Sequence, residues 1–107
     1  MRDQRSQFRF PIARRGFVKR GKQTAICEVL DLTDNGLRIH TDLPLAANET
    51  ALIECQLDGE TIIQCELLVT HAAPPEFGGR MTRLLPEHQL LLAQFIDRLI
   101  AASMGGV

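Results

Sequence analysis

The stretch Thr24-Ala25-Ile26-Cys27-Glu28-Val29-Leu30-Asp31-Leu32-Thr33-Asp34-Asn35-Gly36-Leu37-Arg38-Ile39-His40 reads as two strands joined by a turn. Side chains alternate across a strand, so Leu30 and Leu32 take the core side while Asp31 and Thr33, two apart, share the outer one. The polar pair therefore faces out. Asn35-Gly36 is a strong turn signal: Gly36 is free to adopt the positive φ that returns the chain, and Leu37 and Ile39 then point inward. Glu28 breaks strict alternation on the Leu30 face, a break that a β-bulge nearby would repair.

Working outward, apolar and β-prone runs near 10–20, 24–33, 36–42, 49–57, 61–72 and 77–84 read as six strands. They are separated by Gly21-Lys22, Asp34-Asn35, Pro44-Leu45-Ala46-Ala47-Asn48, Asp58-Gly59-Glu60 and Pro74-Pro75. The Asp58-Gly59 hairpin can be tested for parity, because residues paired across two strands share a face. A two-residue Asp58-Gly59 loop pairs Ile53 with Gln64 and buries an amide. A three-residue loop including Glu60 sets Ile53 opposite Cys65, Cys55 opposite Ile63 and Leu57 opposite Thr61, keeping an apolar face intact.

Pro86 suits a first helical position and Glu87 the positive end of a helix; Leu92, Phe95, Ile96 and Leu99 follow at helical spacing. This predicts an amphipathic helix over 86–103 whose stripe covers the open end or side of the sheet. The fold expected is all-β with a C-terminal helix: a small six-stranded antiparallel β-barrel packed by one α-helix, since closure removes exposed sheet edges. Residues 10–103 form that unit, and residues 1–9 form a flexible basic N-terminal arm.

A chain of 107 residues, 45% hydrophobic and 23% charged, has room for one domain with one core. No apolar run reaches signal-peptide or membrane-span length, so a cytoplasmic protein is expected. The formal net charge of −1 hides a polarity along the chain. Residues 1–22 hold eight basic side chains against Asp3 alone, a net +7, while the rest carries four arginines against twelve acids, a net −8. An anionic partner for the front of the chain explains this asymmetry, and so does a basic arm lying over an acidic body.

Cys27, Cys55 and Cys65 are odd in number, sit in apolar or alternating segments and lack zinc spacing, which makes them reduced core thiols. His40, His71 and His88 stand far apart beside turn or surface residues and are assigned no site; no metal or cofactor is expected. No serine or cysteine has a recognisable histidine partner and no carboxylate pair forms a motif, so an enzyme is not expected.

Two patterns carry chemistry. Arg5-Ser6-Gln7-Phe8-Arg9 sets two guanidiniums on one side of the arm, about 13 Å apart if extended and roughly 6 Å apart in a helical turn. Each can fork onto a phosphate or donate to O6 and N7 of guanine. The second pattern, Asp31-Leu32-Thr33-Asp34-Asn35-Gly36, offers a carboxylate, a hydroxyl and a glycine at a strand end. Each pattern alone also has a plain reading, as a solvated arm and as an Asx- or hydroxyl-capped hairpin.

Together the two patterns resemble the signature of the PilZ family of bacterial cyclic di-GMP receptors: an R-x-x-x-R arm before the first strand and a D/N-x-S-x-x-G turn after the second. Gly78-Gly79-Arg80-Met81 and Leu84-Leu85-Pro86-Glu87 are similar to the family's last strand running into its terminal helix. The resemblance spans nearly the whole chain. It implies that an arm wraps cyclic di-GMP, that Arg5 and Arg9 contact phosphates and guanine, that Asp31 and Thr33 hydrogen-bond to the base, and that Gly36 keeps the turn open. Thr33 stands where serine is usual, keeping the hydroxyl and adding a methyl group. Gln4 stands where many relatives have another arginine, a position that influences whether one nucleotide or a stacked pair is held.

The expectation is a non-enzymatic receptor or adaptor that orders its arm on cyclic di-GMP and signals to a downstream protein partner. A nucleotide-independent interaction module with a PilZ-like barrel is the alternative. A single-stranded nucleic-acid binder is disfavoured, because the chain has no Trp or Tyr and its five phenylalanines are scattered rather than set in a stacking row.

Overall fold

The computed structural model describes residues 9–33 and 35–104. Six strands, β1 (Phe10–Arg20), β2 (Gln23–Leu32), β3 (Gly36–Thr41), β4 (Thr50–Asp58), β5 (Thr61–Ala73) and β6 (Glu76–Leu84), precede one helix, α1 (Pro86–Met104). Every neighbouring pair is antiparallel, and the sheet closes in the order β1-β2-β3-β6-β5-β4. The all-β barrel with a C-terminal helix expected from the sequence is what forms, with element ends shifted by a residue or so.

Alternation builds the interior. On β4, Ala51, Ile53, Cys55 and Leu57 are buried while Thr50, Leu52, Glu54, Gln56 and Asp58 are exposed. Val29, Leu32, Ile39, Ile53, Leu57, Ile63, Leu67, Val69 and Phe77 complete a core in which each is at most 1% exposed. Burial of such side chains contributes ~1.5–3 kcal/mol each before the entropy of ordering them is set against it. The seam between β1 and β4 needs Gly16, where a Cβ would collide with the Glu54 carbonyl oxygen.

The β4–β5 hairpin differs from expectation at its tip. Ile53 pairs with Cys65 and Cys55 with Ile63 as parity requires, but Thr61 faces Asp58, and the register shifts between Gln56 and Asp58. Leu57 stays in the core at 1% exposure. The bulge absorbs one residue, and Gly59 at φ 42° lets the shorter Gly59-Glu60 turn close the hairpin.

Leu92, Phe95 and Ile96 of α1 are buried. Two guanidiniums approach the Phe95 ring, Arg14 at 5.6 Å and Arg98 at 5.9 Å from its centre. Arg14 also donates through Nε to the Leu57 carbonyl, and Arg98 pairs with Asp58 at 2.8 Å, which docks the helix beside the β4–β5 turn. At the other end the Gln64 amide donates to His88 Nδ1 at 3.0 Å. The three cysteines are free and buried. Among the described residues, no helix is long and apolar enough to cross a membrane.

Candidate functional site

A bulge in β2 shapes the site. Val29 pairs with Ile39 and Asp31 with Arg38, which leaves Leu30 as the extra residue. This restores the alternation that Glu28 interrupts, and it corrects the reading of two neighbours. Leu32 enters the core with Leu37, but Leu30 is only half-buried, and Asp31 is 5% exposed rather than open to water. Asp31 keeps the outer face, since it shares it with Arg38; what buries it is the guanidinium laid over it.

Arg38 Nε donates to Asp31 Oδ2 at 2.7 Å and its Nη1 to Glu76 Oε1 at 2.6 Å. The hydrogen bond and charge of Asp31, then the charge of Glu76, raise the Arg38 pKa above its ordinary value, so the guanidinium stays charged. Arg9 Nε stands 3.8 Å from the other carboxylate oxygen, Oδ1. One oxygen of Asp31 is thus held at hydrogen-bond distance, while the other is only loosely covered and accessible to an N–H donor.

The turn that follows is pinned at both ends. The Thr33 amide donates to the Gly36 carbonyl at 3.0 Å, the Asn35 amide donates to Thr33 Oγ1 at 3.3 Å, and the Met81 amide donates to the Asn35 carbonyl at 2.8 Å. Gly36 does not have the positive φ expected of it; among the described glycines only Gly21 and Gly59 do. Its role is close approach. A Cβ there would lie 2.8 Å from the Gly79 carbonyl oxygen of β6 and 3.2 Å from Thr33 Oγ1. Gly79 in turn has no space for a Cβ against the Leu68 carbonyl oxygen, so strands β3, β6 and β5 draw together under the site.

Arg9, Asp31, Thr33 and Gly36 border a single open cleft of about 680 Å³, joined by Asn35, Arg38, His71, Glu76 and Arg80. That size suits a small-molecule ligand. Three guanidiniums and two carboxylates meet there: the cations can fork onto phosphate oxygens, and the carboxylates can accept from the N–H edge of a base. Arg5 lies outside the described residues, as do the rest of the arm through Phe8 and Asp34 of the turn. Among the described residues, no group of three or more His, Cys, Asp or Glu is placed to hold a metal ion.

Sequence reading missed Arg38, Glu76 and Arg80. Arg38 had a signal, since it alternates with Leu37 and Ile39 on the strand returning beside Asp31. Glu76 gave none and Arg80 only its place in Gly78-Gly79-Arg80-Met81, because they reach the cleft only through the β3–β6 pairing of His40 with Glu76 and Gly36 with Arg80.

The family model described as PilZ domain matches residues 3–98. The chain belongs to the PilZ family. Among solved structures, this PilZ chain is similar to the Bacillus subtilis inhibitor of motility (MotI/DgrA), with a TM-score of 0.73 at 13% identity. The match covers 92% of this chain and 50% of that one, so the PilZ chain spans about half the length of its structural neighbour. At such identity the likeness speaks for the fold. No curated protein sequence matches the chain.

Proposed function

We propose that this PilZ chain is a receptor for cyclic di-GMP that reports occupancy to a downstream protein. The observation that carries the reading is that Arg9, Asp31, Thr33 and Gly36, drawn from two separate motifs, border one cleft. Arg9 and Arg5 hold phosphate and guanine edges. The Oδ1 oxygen of Asp31 and the Thr33 hydroxyl take the base, and Gly36 leaves the turn backbone open to it. The net +7 of residues 1–22 attracts a dianion from a distance. Residues 1–9 close over the nucleotide, and their bound position is the surface a cytoplasmic partner reads; residues 10–103 supply the scaffold. The scheme activates no reacting group, which makes the protein an adaptor rather than an enzyme.

Titration calorimetry with cyclic di-GMP tests it. The intact chain binds, and Arg5→Ala/Arg9→Ala weakens binding roughly a hundredfold, the scale of two lost charge-assisted contacts. Amide shifts of residues 4–9 and 31–36 move on titration. Absence of binding heat, or an affinity untouched by the double substitution, rejects the proposal and leaves the nucleotide-independent interaction module.

A further inference from the structure

Away from the cleft, the outer face of β2, β1 and β4 carries Ile26, Phe17 and Leu52, which are 67%, 51% and 54% exposed. Phe17 lies directly opposite Ile26 on one side and Glu54 on the other, while Lys19 lies opposite Leu52. Phe17, Lys19, Leu52 and Glu54 all line a broad groove of about 830 Å³, distinct from the nucleotide cleft. Three large apolar side chains gathered on the outer face of three neighbouring strands are unusual for a surface that meets only water.

The charges on this face identify what covers it. Phe17 and Lys19 are two apart on β1, and Glu54 and Leu52 two apart on β4, so the four outward side chains mark a parallelogram of ~4.8 by ~6.8 Å. The apolar residues occupy one diagonal and the unlike charges the other. A two-fold axis laid in the plane of contact along the Phe17–Leu52 diagonal brings each of the other two corners to within ~3 Å of the other's place. Lys19 of one copy then stands within side-chain reach of Glu54 of the other, twice, while Phe17 meets Phe17 and Leu52 meets Leu52. Among the described residues neither Lys19 nor Glu54 makes an ion pair within the chain, so both charges are open to one.

We infer that this face is an isologous dimer interface and that its occupant is a second copy of this chain. A closed patch that is its own complement under two-fold rotation is what symmetric association requires. The curved barrel wall limits its extent, so association is reversible and depends on concentration.

Sedimentation equilibrium on the nucleotide-free chain over a concentration series reads the result. The apparent mass rises toward twice that of the chain, and Phe17→Glu holds it at one. Lys19→Glu and Glu54→Lys each weaken association at least tenfold, because like charges then face each other twice. An equimolar mixture of those two variants regains it, since every substituted position again meets its opposite. The rescue also proves that both variants are folded. A monomer at all concentrations, a dimer indifferent to both single charge substitutions, or a mixture no tighter than its components overturns the inference.

Discussion

Asp31 is nearly buried because Arg38 covers it, and Arg38 is held in place by a second acid, Glu76. This clamp fixes which carboxylate oxygen points at the cleft. Arg38→Met removes the clamp while keeping most of the side-chain volume, so we expect cyclic di-GMP affinity to fall about tenfold and the melting temperature to drop, read by calorimetry and thermal denaturation. An unchanged affinity would mean that Arg38 does not position Asp31. Thr33 is a second test at this scale: its Oγ1 accepts from the Asn35 amide at 3.3 Å, and the residue borders the cleft. Thr33→Ser should bind within about threefold of the natural chain, whereas Thr33→Val, equal in shape but without a hydroxyl, should lose roughly tenfold. The sequence placed Asp31 and Thr33 together, and both border the cleft, because motif spacing along one strand is local information. It misjudged the burial of Asp31, since that depends on a guanidinium donated from the next strand.

Among the elements, the strand-to-strand approach under the site explains why glycine stands where it does. Gly36 reads as a turn residue from its neighbour Asn35, yet the constraint on it comes from the Gly79 carbonyl, 43 positions along the chain. No window of sequence holds that contact. The six strands and the helix were legible from alternation and helical spacing, and Pro86 with Glu87 marked where the helix begins. The bulges at Leu30 and Leu57 were not legible in position, because a bulge is a compromise between two strands. The glycine argument yields a prediction. Gly79→Ala forces its Cβ against the Leu68 carbonyl oxygen, which is backbone and cannot swing aside, so β5 and β6 must separate. We expect a loss of about 1–3 kcal/mol, seen as a melting temperature lower by roughly 5–20 °C. A wild-type melting curve for this variant would show that the β5–β6 contact is looser than described.

For the whole molecule, part of the charge polarity written along the chain is satisfied internally: Arg9 faces Asp31, and Arg20 pairs with Glu49 at 3.4 Å. The other whole-molecule consequence of closing the barrel is chemical isolation of its thiols. Gly16 sits opposite both Cys27 and Cys55, and Cys27, Cys55 and Cys65 are 2%, 1% and 5% exposed. Burial pushes Cys27 and Cys65 up from 9.0 to about 12, helped by the charges of neighbouring thiolates, and Cys55 to about 11, where Arg14 offsets part of the effect. The folded chain therefore keeps protons that the unfolded chain releases once pH exceeds 9.0. Stability is unaffected by these groups below that pH and falls as pH rises toward about 12. The chain is well suited to the measurement, because it has no Tyr. Denaturant midpoints should stay level between pH 7 and 8.5, on the order set by the ordinary thiol range, and decline steadily above it. At pH 8, labelling by a thiol-specific disulfide reagent should be roughly a thousandfold or more slower than in the denatured chain, since it requires global opening. Rapid labelling of the folded protein would mean instead that the barrel wall opens locally, and the alkaline decline would then be shallow, because thiols in contact with water lose the burial that raises them.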